Sequence, residues 1–555
     1  MDKTVLDIND LSVVFDTGRE KICALRDLSL AIEPGEIVAV VGESGCGKSV
    51  LCKTVMGLLP GVAEVTGGRI SVNGKDTAGL SDSQYCRIRG VDISMVFQDP
   101  MTSLDPTCTT GAQIAEAIKA HAGRSTEEGR AVSRRQLRER VIRLLDAVGI
   151  DQPEKRADSY PWMLSGGMRQ RAVIAMALSQ EPEMLIADEP TTALDVTIQA
   201  EILDLLVRLN KERSMSIMLI THDLSAAAAV ADRIAVMHAG RIVESGTAKD
   251  IFEKPEHPYT RKLISLLPEF AEEPAGGDRS DDAGSADSDP VVSVRDLSHK
   301  FRLGRRSYVQ AVRDVSFDIR KGEVLAMVGE SGGGKSTVAR CLLGIYRPSG
   351  GKITFNENYV PDKRRIGFIS QDPGTALNPR MKVRDIIAEP LKIQKRFSDK
   401  AELDARIRQL MSEVGLEESY LDRYPPQLSG GQNQRVSIAR AYGMEPELLI
   451  ADEPLASLDV TIQAQIAELF SRMQKKYDTT VLFISHDLSM VKTVSDRTAV
   501  MYRGSIVELA PTEMIFREPQ HPYTRKLLAV VPSVRRALGL EEAPGDKADA
   551  GRCTP

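Results

Sequence analysis

Apolar residues fall along this chain in two rhythms. Short unbroken apolar runs that end in turn residues predict buried strands at Ile37–Val41, 184–187 and 217–220, and again at Val324–Val328, 448–451 and 481–484. Between them the period changes. Leu137, Val141, Leu144, Leu145 and Val148 follow the spacing i, i+4, i+7, i+8, i+11, and Leu403, Ile407, Leu410, Met411 and Val414 repeat it. Each set predicts an amphipathic helix. Strands alternating with helices predict an α/β fold with a largely parallel core sheet carrying a helical insertion.

The pattern is written twice. Val41-Gly-Glu-Ser-Gly-Cys-Gly-Lys-Ser49 recurs as Val328-Gly-Glu-Ser-Gly-Gly-Gly-Lys-Ser336, and Leu164-Ser-Gly-Gly167 as Leu428-Ser-Gly-Gly431. Asp188-Glu189 returns as Asp452-Glu453, Thr221-His-Asp-Leu-Ser225 as Ser485-His-Asp-Leu-Ser489, and His257-Pro-Tyr-Thr-Arg-Lys-Leu263 unchanged at 521–527. The order is the same in both halves, and a period of this length is too long for a solenoid. The chain therefore divides into a domain at 1–267 and a second at 291–533. The intervening 268–290, rich in Asp, Ala, Gly, Ser and Pro, is expected to be a disordered linker, and 534–555 a disordered tail.

Composition narrows the class. With 42% hydrophobic and 27% charged residues among 555, the chain reads as ordinary globular protein. No apolar stretch approaches the eighteen residues of a membrane span, and the start lacks a basic end followed by an apolar run. A cytosolic protein is expected. Seven scattered cysteines without a Cys-x-x-Cys pair argue against a disulfide framework or a zinc site. The net charge of −6 is a poor match to nonspecific nucleic-acid binding. It is also unevenly placed: 268–290 holds eight acidic residues and one Arg, a net −7, which leaves +1 for everything else.

The candidate chemistry is phosphate chemistry. Gly42-Glu43-Ser44-Gly45-Cys46-Gly47-Lys48-Ser49 and Gly329-Glu330-Ser331-Gly332-Gly333-Gly334-Lys335-Ser336-Thr337 each follow a predicted strand and open a helix, the setting of a phosphate loop. There, glycines let backbone N–H groups close on phosphate oxygens, Lys reaches the β/γ-phosphates and Ser ligates Mg²⁺. Asp188 and Asp452 end apolar strands and suit a Mg²⁺ ion, and Glu189 and Glu453 suit the polarising of a water for in-line attack. By itself Asp-Glu after a strand is more often a solvated strand end. Ser165-Gly166-Gly167 and Ser429-Gly430-Gly431 are capped helix starts, or second anion sites; spacing does not choose.

Taken in order, the phosphate loop, Gln98, Leu-Ser-Gly-Gly, Ile-Ala-Asp-Glu, Ala-Leu-Asp195 and His222 resemble an ATP-binding cassette (ABC) ATPase domain, and the second half matches likewise. The resemblance covers about nine-tenths of the chain. It implies a head-to-tail sandwich of the two domains, with ATP and Mg²⁺ at two composite sites. One site would join Lys48, Ser49, Gln98, Asp188, Glu189 and His222 to Ser429, Gly430 and Gly431. The other would join Lys335, Ser336, Gln371, Asp452, Glu453 and His486 to Ser165, Gly166 and Gly167. Gln98 and Gln371 would sense Mg²⁺ and couple to a membrane partner. Asp195 and Asp459 would make contacts across the interface, His222 and His486 would engage the γ-phosphate, and Phe15 and Phe301 would stack on adenine. Both halves keep the full set, so two hydrolytic sites are expected. Leu455 in place of the Thr191-Thr192 pattern, and Trp162-Met163 before the first signature, point to kinetic inequality.

The Gln98-Asp-Pro and Gln371-Asp-Pro runs and the two His-Pro-Tyr segments resemble the dipeptide/oligopeptide/nickel importer branch in its fused, two-cassette form. Two transmembrane permease subunits and an extracytoplasmic solute-binding protein are the implied partners, with the chain peripheral on the cytoplasmic face of the inner membrane through them alone. The iron–sulfur centre of some relatives is not carried over, since only Cys553 follows the last His-Pro-Tyr. A soluble twin-cassette factor acting on ribosomes, and a nickel or exporter ATPase, are the competing classes. The acidic, helix-breaking linker and the His-Pro-Tyr segments weigh against the first.

Overall fold

The computed structural model describes residues 4–16, 18, 20–122, 133–192, 194–267, 269–270, 290–302, 304, 307–360, 365–395, 397, 399–456, 458–531 and 533–539. The chain forms two compact units. The first takes in 1–194, 198–265 and 532–541, the second 195–197, 266–531 and 542–555. Most of the acidic 268–290 stretch and of the 534–555 tail lies outside the described residues.

In the first unit a six-stranded sheet runs in the order Arg241–Gly246, Arg233–His238, Ile37–Val41, Ser216–Thr221, Met184–Asp188, Ile93–Val96. Every pairing is parallel except the last hairpin, Arg233–His238 with Arg241–Gly246. The central strands are buried along their whole length, which is why their sequences are unbroken apolar runs and not alternating ones. The second unit repeats the design as Ile366–Ile369, Leu448–Asp452, Thr480–Ile484, Val324–Val328, Arg497–Tyr502, Ser505–Pro511.

Both amphipathic helices are present. Arg134–Ala147 buries Leu137, Val141, Leu144 and Leu145, and Lys400–Glu413 buries Ile407, Leu410 and Met411. Each packs against the helix that follows the Leu-Ser-Gly-Gly turn, Gly166–Ala177 or Gly430–Tyr442.

Two features depart from expectation. Each unit carries an additional antiparallel sheet: Lys21–Ile32, Leu6–Asp16, Ala63–Val72 and Lys75–Asp76 in one, and Tyr308–Arg320, Pro290–Arg302 and Gly350–Phe355 in the other. And the tail begins in order, because Val534–Ala537 is a helical turn capped by Ser533 with Val534 fully buried. An apolar side chain with a place to be buried offsets the cost of ordering a short segment that composition alone assigns to disorder.

Candidate active site

The phosphate loops sit between a fully buried strand and a helix that starts on the loop's own lysine, Lys48–Val55 and Lys335–Leu342. Close approach of backbone to backbone dictates the glycines. Gly47 and Gly334 cap these helices with φ of 111° and 101°, and a Cβ on either would lie under 3 Å from the carbonyl of Ala24 or Ala311. A Cβ on Gly42 would lie 2.2 Å from the Met237 carbonyl oxygen. Both lysines are buried and folded back over the loop. Lys48 Nζ donates to the carbonyls of Gly42 and Glu43 at 2.6 and 2.9 Å, and Lys335 Nζ to those of Gly329 and Glu330 at 2.6 and 3.0 Å.

Around each lysine the predicted residues of one half come together. Ser49 Oγ donates to Asp188 Oδ1 at 3.3 Å and Ser336 Oγ to Asp452 Oδ1 at 3.0 Å. The neighbouring glutamates take positive φ, 46° at Glu189 and 50° at Glu453, which turns their side chains out of the strand direction. Glu189 Oε2 accepts from Gln98 Nε2 at 2.8 Å and lies 3.4 Å from His222 Nδ1. Glu453 Oε2 accepts from Gln371 Nε2 at 2.7 Å and lies 3.3 Å from His486 Nδ1.

Burial pushes the carboxyls of Asp188 and Asp452 up, against the opposing pull of the serine hydroxyls. Burial acts on Glu189 in the same sense but is overcome by the His222 imidazole, the Thr192 hydroxyl and the Lys48 ammonium, which hold this carboxyl at about 2. Glu453 is lowered by the equivalent His486. For the imidazoles burial works to lower the pKa, and the glutamates raise it nonetheless. Each pair is thus an ionised carboxylate beside a histidine inclined to hold its proton.

The remaining predicted residues lie elsewhere in each unit. Ser165 and Ser429 are N-caps, accepting from the amides of Met168 and Gln432 at 3.3 Å. The second glycines, Gly167 and Gly431, leave no room for a Cβ, which would meet the Cγ2 of Ile198 or Ile462 at 2.6 and 2.7 Å; Gly166 and Gly430 stay exposed. Asp459 caps the helix Val460–Tyr477, and Asp195 precedes the equivalent Val196–Arg213. Phe15 and Phe301 lie in the antiparallel sheets, Phe15 partly buried against the core and Phe301 edge-on to His299 and Tyr346.

Sequence reasoning missed one hydroxyl in the first cluster. Thr192 Oγ1 donates to Glu189 Oε2 at 2.9 Å, and its counterpart is Ala456, so the Thr-Thr pattern was the available signal.

A model of the ABC transporter family matches residues 25–192 and 312–456, and one described as the oligopeptide/dipeptide transporter C-terminal region matches 243–285 and 507–554. The glutathione import ATP-binding proteins GsiA of Escherichia coli (strain K12) and Shigella flexneri are each 43% identical over 95% of this chain and 89% of their own length. A solved dimeric ATP-binding cassette, in a post-hydrolysis state bound to ADP and Pi, matches 44% of this chain and 98% of its own at 29% identity, with a TM-score of 0.39. With two copies of the cassette cluster and both C-terminal regions present, the chain belongs to the ABC transporter family, as a fused ATP-hydrolysing subunit of the oligopeptide/dipeptide importer type.

Proposed function

We propose that the chain drives uptake of short peptides, glutathione among them, by hydrolysing ATP at two composite sites. The observation that carries this is the duplicated cluster of Lys, Ser, Asp, Glu, Gln and His beside two oligopeptide-type C-terminal regions; the relatives named for glutathione import support the cargo class. Two transmembrane permeases and an extracytoplasmic solute-binding protein complete the machine, which holds the chain on the cytoplasmic face of the inner membrane. No helix among the described residues is long and apolar enough to cross a membrane.

Lys48 and Lys335 exchange their loop carbonyls for the β/γ-phosphates. The Ser49–Asp188 and Ser336–Asp452 pairs place a hydroxyl and a carboxylate side by side, hard oxygens of the kind Mg²⁺ takes, with Gln98 and Gln371 on the adjacent carboxylates of Glu189 and Glu453. Held there, Mg²⁺ would supply positive charge against the negative charge developing on the phosphates. Glu189 and Glu453 orient and polarise the attacking water, and His222 and His486 hold these carboxylates and meet the γ-phosphate. Ser165–Gly167 and Ser429–Gly431 present capped helix N-termini to the nucleotide of the opposite half, Asp195 and Asp459 meet across the interface, and Phe15 and Phe301 stack on adenine.

Uptake of labelled glutathione and dipeptides by cells lacking this chain, restored by the parent but not by Glu189→Gln/Glu453→Gln, tests the reading. Co-purification with two multi-span proteins is expected; sedimentation with ribosomes and no uptake defect overturns it.

A further inference from the structure

Defined contacts hold both copies of the duplicated His-Pro-Tyr segment. His257 and His521 accept the amides of Tyr259 and Tyr523 on Nδ1 at 3.1 Å, and Pro522 fills the first turn of the helix Pro522–Val530. Glu244 and Glu508, on the preceding edge strands, accept the amides of residues 256 and 257, and 520 and 521, at 2.8 to 3.0 Å. The Thr524 hydroxyl joins the Glu508 carboxylate. The helix start is therefore clamped from two sides.

The tyrosines look the other way. Tyr259 stacks on His238 with ring centroids 3.9 Å apart, and Tyr523 on Tyr502 at 4.1 Å. Each is buried, and each hydroxyl oxygen accepts the backbone N–H of the second phosphate-loop residue, Glu43 or Glu330, at 3.2 Å. The carbonyls of those same residues receive Lys48 and Lys335. One loop residue is thus held at its N–H by the C-terminal helix and at its C=O by the phosphate-binding lysine, and the arrangement is repeated in both units.

We propose that the His-Pro-Tyr helix is a latch on the phosphate loop, and that Tyr259 and Tyr523 are positioning residues that hold the loop in its nucleotide-binding shape. The inference rests on the reading that these loops bind ATP phosphates. A pre-shaped loop spends less of its binding free energy on ordering. Removing one neutral hydrogen bond from it costs ground-state and transition-state binding alike, which raises KM and leaves kcat.

The test is ATP hydrolysis by the full-length chain carrying Tyr259→Phe and Tyr523→Phe together, a change that keeps both ring stacks. The expected result is a KM for ATP raised about 3- to 10-fold per site with kcat within about twofold of the parent. An unchanged KM overturns the latch, as does a loss confined to kcat, or a lowered denaturation midpoint with both constants unmoved. Hydrogen exchange on the unmodified chain gives a second reading that needs no variant: slow exchange of the Glu43 and Glu330 amides supports the latch, and free exchange overturns it. Failure of the parent itself to bind ATP would instead strike the nucleotide reading.

Discussion

Glu189 and Glu453 hold equivalent positions in different company. Glu189 accepts from Thr192 as well as Gln98, whereas Ala456 leaves Glu453 without the threonine's hydroxyl. The extra donor stabilises the carboxylate and weakens it as a base. Thr192→Ala should therefore raise the Glu189 pKa and shift the acid limb of ATP cleavage at that site upward; a pH–rate profile in a Glu453→Gln background reads it, and an unmoved limb would show that the threonine does not matter. The His–Glu pairs set a second pH dependence. Each Glu is depressed below 4.5, so its contribution to stability is present above that value and lost as pH falls toward the lowered pKa; each His is raised above 6.5, so its contribution is present below 6.5 and lost as pH rises through the raised pKa. Both contributions are present between 4.5 and 6.5. Denaturation midpoints of His222→Ala/His486→Ala should fall less steeply above pH 6.5 than those of the parent. At this scale the lysines and acids were legible from their places at strand ends, whereas Gln98, Gln371, His222 and His486 came only from the resemblance to the cassette family. The tyrosines were not legible, because a side-chain partner distant in sequence leaves no spacing signal; Thr192, three residues from Glu189, was marked only by the Thr-Thr pattern.

At the scale of elements, the phosphate loop depends on backbone that only glycine adopts. Gly47→Ala would place a Cβ 2.8 Å from the Ala24 oxygen at a φ of 111°, so it should displace the start of Lys48–Val55 and abolish ATP binding, measured by titration with MgATP. Ser165→Ala removes an N-cap and should cost about 1 kcal/mol in a denaturant midpoint. The parallel core was readable because strands buried on both faces are continuous apolar runs. The antiparallel sheets were not. Leu6–Asp16 loses its period-2 alternation where the register shifts between Ile8 and Val13, with Asp10 at a φ of 50°, and Pro290–Arg302 does the same around Asp296 at 49°. A bulge swaps the faces that alternate, so the apolar pattern on either side no longer adds up to one strand.

For the whole molecule, duplication is the dominant fact. Two units carry the same cluster with donor distances that agree within about 0.3 Å, and the same latch at 3.2 Å, so nothing in the geometry of either half marks it as degenerate. Repetition was visible at once in the sequence, as was the acidic segment that carries the net charge; how one chain uses two sites is the claim that remains to be measured. Single-turnover ATP cleavage by the full-length chain in its transporter tests it most directly, comparing Glu189→Gln, Glu453→Gln and the double variant with the parent. Two competent sites predict that each single variant still releases phosphate from its intact half, at rates that differ between the two, and that the double variant binds ATP and releases none. Release by the double variant, or a single variant as silent as the double, would contradict the account.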